Sequence, residues 1–297
     1  MRPDLLRKLI ESQARLRYAG TRVVELGAGP MRRAHREIVL RAGPLMRTEF
    51  PPGSEAAGQI IVENGQVRRH FFPDLDEIRI MPARREEALE RLNGLFRQVQ
   101  ERRAQLRTRP GGQVAGYRTL LLEFLDPREN PIQRLWIEPE HGMVLKRELF
   151  DPAGGRIGYF EFTEVNFNPL IREGDFEINR RGAKIVTLDQ YLERLARRLS
   201  LRPIRVPPNS GFQLFQVRSL KLAGVDAIEM SFEGPAASFS VFLVRGEVDA
   251  ARLQNALDPS MSCRVWRDGD QTVALIGHAP REAWERIARM IQSQMRD

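Results

Sequence analysis

Glu138, Glu140 and His141 stand close together in the stretch LWIEPEHGMVLKRELFDPAGGRIGYFEF, residues 135–162. A carboxylate beside an imidazole serves as an acid/base pair or as a set of metal ligands, so this is the strongest catalytic candidate by residue type. Its neighbours argue for a simpler role. Pro139 comes early and Gly142 late, the chemistry of a tight connection in which proline presets φ and glycine takes a positive φ. DPAGG, further on, has the same form. The sequence therefore predicts a corner standing in solvent, with Glu138 ending one strand and His141 and Gly142 opening the next. A hydrolase working at this turn is the least favoured reading.

The remaining candidates are thinner. GAGP (27–30) and GGRIG (154–158) are glycine-rich, yet neither has the spacing of a phosphate cradle. There is no nucleophile elbow of the form G-x-S-x-G and no H-E-x-x-H. Cys263, the single cysteine, sits in an expected strand between Met261 and Val265, where a buried thiol is the natural reading. One cysteine and four scattered histidines, His35, His70, His141 and His278, make no zinc cluster, so no metal and no cofactor are expected.

The chain has 297 residues and 42% hydrophobic content, enough for packed cores in two ordinary domains. It contains no apolar run long enough to span a bilayer. At the amino terminus Leu5, Leu6, Leu9, Ile10 and Leu16 alternate with charges, the period of a helix and unlike the apolar core of a signal peptide. The net charge of +8 invites a nucleic-acid partner. However, all but four of the 47 basic residues are arginines, spread along the whole chain, and such uniformity forms no binding patch; nucleic acid is not expected.

The elements that must position any site read as follows. TRVVEL, AHREIVLRA, LMRTEF, GQIIVENG, QVRRHFF and LDEIRIM are short, alternating or β-branched, and predict an antiparallel meander. Residues 84–107 switch to a helical period, with Ala88, Leu89, Leu92, Leu95, Phe96 and Val99 on one face. RPGG punctuates, and strands resume at GYRTLLLEFLD, IQRLWIE, GMVLKRELFD and GRIGYFEFTEV. Residues 166–184 thin into a connector, and the domain boundary is set at residue 182. The second domain, 183–297, opens with a helix capped by Thr187 and ends with one that begins at Pro280 and buries Trp284, Ile287, Ala288 and Ile291.

Several strands of the first domain are apolar at positions on both faces. Such a sheet either packs a helix on each side or curls around a cavity. If Ile38, Leu40, Ile60, Val62, Leu120, Leu122, Phe124, Leu135 and Ile137 line one concave face that no helix fills, they form an apolar pocket for an acyl chain, each buried methylene contributing roughly 0.8 kcal/mol. A simply filled core satisfies the same pattern.

These residues resemble a known family. Leu135, Trp136, Glu138, Gly142, Leu145, Asp151, Gly154, Phe160 and Phe162 follow the pattern of the LolA/LolB-like fold and, within it, of the RseB/MucB regulators. Tyr18 and Gly20 look like the family's Tyr-x-Gly entry into the first strand. In the second half, VPPNSGFQLFQV, Ser240, Val241 and Phe242, and Gly277 with Pro280 are similar to that family's carboxy-terminal domain. The resemblance implies an α+β chain: an unclosed antiparallel β-barrel with covering helices over residues 1–182, then a smaller α+β domain over 183–297. It also implies a non-enzymatic, periplasmic protein that senses a lipid, a lipoprotein acyl chain or lipopolysaccharide in the envelope stress response. Its partner would be the extracytoplasmic segment of an anti-sigma factor, shielded from proteolysis. The alternative is a LolA-like carrier of lipoproteins or lipids.

Overall fold

The computed structural model describes residue 12 and residues 15–27, 33–83, 87–222, 224–234, 237–255 and 261–295. Contacts divide the chain into one unit of Met1–Ile78 and Ala83–Lys184 and a second of Arg79–Pro82 and Ile185–Asp297.

The first unit is built on antiparallel strands. The expected meander forms β1 (Arg17–Leu26), β2 (Arg33–Ala42), β3 (Leu45–Glu49), β4 (Ile60–Glu63), β5 (Val67–Phe72) and β6 (Glu77–Pro82). After a helix, α1 (Glu87–Gln100), come β7 (Gln105–Val114), β8 (Tyr117–Leu125), β9 (Pro131–Glu138), β10 (Met143–Phe150) and β11 (Arg156–Asn166). With β12 (Lys184–Thr187), the strand order is β12-β6-β5-β4-β3-β2-β1-β11-β10-β9-β8-β7. Among the described residues its ends do not pair with each other, and the sheet is unclosed. The division between the units falls inside β6.

Two strands depart from expectation: β12, which falls where the sequence reads only a connector and a helix cap, and β7. The helical period extends through residue 107 in the sequence and RPGG reads as a break, but α1 ends at Gln100 and β7 runs from Gln105 straight across Pro110, Gly111 and Gly112. Proline is tolerated because β7 is an edge strand, where its missing N–H costs no ladder bond. The register against β8 shifts between Pro110 and Gly112, a bulge that absorbs the irregularity. Gly111 is required there: a Cβ would come within 2.5 Å of Thr119 Oγ1 and 2.9 Å of Trp136 Cδ1.

The start of β1, the β7–β8 and β9–β10 turns and the end of β11 share a core of Leu16, Tyr18, Val39, Val114, Met143, Leu145 and Phe162. Tyr117 Oη donates to the Val165 carbonyl at 3.4 Å, and the Tyr117 and Phe167 rings meet edge to face. The sheet thus curls back on itself between β8 and β11. Gly20, singled out by the sequence, faces Val165 across the β1–β11 ladder, where a Cβ would lie 2.6 Å from the Glu164 carbonyl.

In the second unit, β13 (Gln213–Leu222), β14 (Val225–Glu233), β15 (Ser238–Arg245), β16 (Ser262–Asp268) and β17 (Gln271–His278) form a sheet in the order β13-β14-β15-β17-β16. Two helices, α2 (Leu188–Leu199) and α4 (Arg281–Ser293), pack Leu188, Leu192, Leu195, Trp284, Ile287 and Ile291 into one core with Ile228, Met230, Val241, Leu243 and Leu275. Thr187 caps α2 as expected: its Oγ1 accepts from Gln190 N while the Gln190 side chain accepts from Thr187 N. A short helix, α3 (Ala250–Asn255), places Leu253 against Ala274 and Ile276.

Of the expected amino-terminal helix, only Ser12, Arg15 and Leu16 fall within the described residues, as does only Gly27 of GAGP. The side chains of Ala88, Leu89 and Leu92 also lie outside them.

Candidate functional site

The Glu138 turn joins β9 to β10, where the sequence placed it. Glu138 Oε1 accepts from the Glu140 N–H at 2.7 Å, and Oε2 accepts from the His141 N–H at 2.8 Å. His141 Nδ1 lies 2.8 Å from the same Oε2, and its ring stacks on Phe167 with 3.9 Å between centroids. The expectation of a solvated corner needs correction at Glu138, which is only 4% exposed. Glu138, Glu140 and His141 hold one potential ligand atom each within 4.8 Å of one another. Both oxygens of Glu138 are engaged by the turn's own donors, so the carboxylate folds the chain back on itself. A pocket of about 370 Å³ beside it is lined by Arg15, Arg17, Glu140, His141 and Phe167 among others.

The nine apolar residues do not share a face. Leu122 pairs with Leu135, which pairs with Arg147, then Phe160, Val24 and His35 across successive strands. Directly paired residues point to the same side, and neighbours along a strand point to opposite sides. His35, Glu37 and Val39 therefore stand on the Leu135 side, and Ile38 and Leu40 on the other. Ile38 pairs with Glu49 and that with Ile60; Leu40 pairs with Arg47 and that with Val62. The nine form one set of five, Leu120, Leu122, Phe124, Leu135 and Ile137, and a second set of four on the opposite face.

Four of the first set lie in a packed core. Leu122, Phe124, Leu135 and Ile137 are buried with Leu95 of α1, and Phe96, Val99, Leu106, Ile132 and Val144 close around them. Phe96 meets Phe124 edge to face at 5.1 Å. The helix expected to cover the sheet does so here, through Leu95, Phe96 and Val99.

The second set is covered only in part. Ile60 and Val62 pack with Phe71, Ile78 and Phe176, joined by Leu40, Ile171 and Ile178. Residues 171–178 thus lie over the β4 and β5 end of this face, around a 3₁₀ turn at Glu173–Phe176. Toward β2 the cover stops, and a cleft of about 580 Å³ opens over Ala19, Ile38, Leu40 and Ile60. Ile38 is 46% exposed at its floor. The rim is polar: Arg47 and Glu49 on one side, Gly174, Asp175, Glu177, Asn179 and Arg180 on the other. The volume falls in the range of small-molecule sites, with an apolar floor beneath a rim rich in charged side chains.

Arg47 ties the rim together. Its Nε donates to Glu49 Oε1 at 2.6 Å, while Nη1 donates to the carbonyls of Glu177 at 2.7 Å and Asp175 at 3.2 Å. In the sequence, 166–184 reads as a plain connector and Arg47 carries no signal of its own. The alternation of Phe176 and Ile178 in REGDFEIN was the available clue.

Other chemistry-bearing groups are engaged structurally. Glu37 is buried between Arg22 Nε at 2.6 Å and His35 Nε2 at 2.9 Å, with the Arg22 guanidinium over the Phe160 and Phe162 rings. Burial pushes the Cys263 thiol up, away from the reactive thiolate. Burial, then the hydrogen bond to Glu161, raises the Tyr159 phenol.

No family model and no curated protein matches the chain. Among solved structures, it is similar to the crystal structure of MucB, at 18% identity and a TM-score of 0.48, over 97% of this chain and 96% of that one. It is similar to the MucA/MucB complex of Pseudomonas aeruginosa at 19% identity and a TM-score of 0.47, over 96% of each chain. Over 59% of its length and 97% of the other's, it is similar to a LolA superfamily protein from Nitrosomonas europaea, at 14% identity and a TM-score of 0.30.

Proposed function

We propose that the chain is a non-enzymatic binding and regulatory protein of the periplasm. It takes a lipid-like ligand into the cleft over Ile38, Leu40 and Ile60 and holds the exposed segment of an anti-sigma factor, controlling access of proteases to it. The open cleft of about 580 Å³ carries the ligand half of this reading, because an exposed isoleucine on a partly covered apolar face is stabilised by an acyl chain that removes it from water. The resemblance to the RseB/MucB regulators in Tyr18, Gly20, Leu135 to Phe162 and Gly277 to Pro280 carries the partner half.

The test is capture of the purified chain on the immobilised extracytoplasmic segment of a co-encoded anti-sigma factor, with and without added lipopolysaccharide. Binding that the lipid weakens is the expected result. Absence of capture in both conditions sinks the regulatory role. Stoichiometric acylated cargo in native mass spectra of membrane-derived protein would instead mark a LolA-like carrier.

A further inference from the structure

The apolar face of β2–β5 is shared between the cleft and a piece of the chain itself. Ile60 belongs to both: it lines the cleft and packs in the core that contains Phe176. In the ladder, Ile38, Glu49, Ile60 and Phe71 form one cross-strand row, so the open floor at Ile38 continues beneath the 171–178 segment without a step. Phe176 thus occupies the surface that a longer apolar ligand would reach after filling the cleft.

What holds that segment down is concentrated at one place. Its apolar anchors are Ile171, Phe176 and Ile178, and Arg47 grips its backbone from β3 by the two carbonyl bonds described above. The turn itself is closed locally, Asp175 Oδ2 accepting from the Arg172 N–H at 2.8 Å. A single side chain bonded to two carbonyls through Nη1, with its Nε–H on Glu49, is a catch that releases as one unit. Gly174 has open space where a Cβ would stand, so no side chain packs over the turn at that position.

We propose that residues 171–178 are a latch, with Phe176 as an internal stand-in for ligand and Arg47 as the positioning residue that keeps it shut. An apolar chain entering over Ile38 displaces Phe176, breaks the Arg47 bonds and extends toward Val62 and Phe71. This rests on the reading of the cleft as a ligand site, and adds that the site is gated by the chain's own segment.

The test compares the full-length chain with Arg47→Ala and Arg47→Lys, using 11-(dansylamino)undecanoic acid as the probe. Arg47→Ala should bind it about tenfold more tightly, because the competent state no longer has to be won from the latched one, with Arg47→Lys in between. In the same variant the amides of 173–178 should exchange with solvent about tenfold faster or more while those of β8 and β9 are unchanged, which separates latch opening from general unfolding. In the wild-type chain, saturating probe should speed exchange at the same amides. Equal probe affinity in wild type and Arg47→Ala, measurable or nil, overturns the latch whatever the capture experiment shows. Probe that leaves exchange at 173–178 unchanged overturns it too. Tightened probe affinity supports it even where anti-sigma capture fails.

Discussion

Replacing Glu138 by alanine separates a catalytic turn from a structural one. The carboxylate accepts two backbone N–H bonds and faces the His141 imidazole, in a site that is 4% exposed. A net contribution of about 1.5 kcal/mol or more for each bond to a charged acceptor gives a loss of roughly 3 kcal/mol for the two backbone donors alone. In a unit of this size that corresponds to a fall in Tm of about 6–12 °C. Glu138→Gln keeps one acceptor oxygen and should lose about half as much. His141→Ala removes only a ring stack on Phe167 and an outer partner of the carboxylate, about 1 kcal/mol. Differential scanning calorimetry of the three variants should place Glu138→Ala lowest, Glu138→Gln in between and His141→Ala nearest wild type. A Glu138→Ala protein melting within a degree of wild type would refute the assignment of the carboxylate as the turn's anchor.

The two sets of apolar residues should respond in opposite ways: Phe124→Ala, in the core under α1, should cost about 3–5 kcal/mol in urea titrations, whereas Ile38→Ala, at the cleft floor, should stay within about 0.5 kcal/mol. Ile38→Glu should leave Tm in place and abolish uptake of a dansylated fatty acid; retained uptake moves the ligand elsewhere. Gly20→Ala should cost about 1–3 kcal/mol, since its Cβ meets the Glu164 carbonyl; a neutral result would contradict the β1–β11 register. Hydrogen bonds from the Asn130 side chain, then from the Asn130 and Arg128 backbones, hold Asp126 below the ordinary carboxylate range. Its support of the β8–β9 turn is therefore complete above the unfolded-state value near 3.9 and is lost as pH falls through the lower folded value; amide shifts of Arg128 and Asn130 that instead moved above pH 5 would contradict this.

Local signals in the sequence carried most of the elements. Alternation in AHREIVLRA and GYRTLLLEFLD, the helical period from Leu95 to Val99, Thr187 before its helix and Pro280 before Trp284 all depend on residues a few positions apart, and the chain forms those elements where the pattern puts them. One exception, β7, shows the limit of the same rule. Proline and two glycines read as a break because local propensity cannot tell an edge strand, where they are harmless, from a central one.

For the site, composition and motif spacing determined that the chain has apolar strands without a recognised catalytic signature, and that Glu138 sits at a corner. Only the tertiary structure decided what those strands do. Each strand displays its own alternation, but whether Ile38 faces the same way as Leu135 depends on the ladders between them, including the bulges near Thr21 and between Val144 and Lys146. One residue of register reverses a face, and no short-range pattern records it. The helix α1 then covered part of one side, the 171–178 segment part of the other, and the space left between that segment and β2 became the cleft.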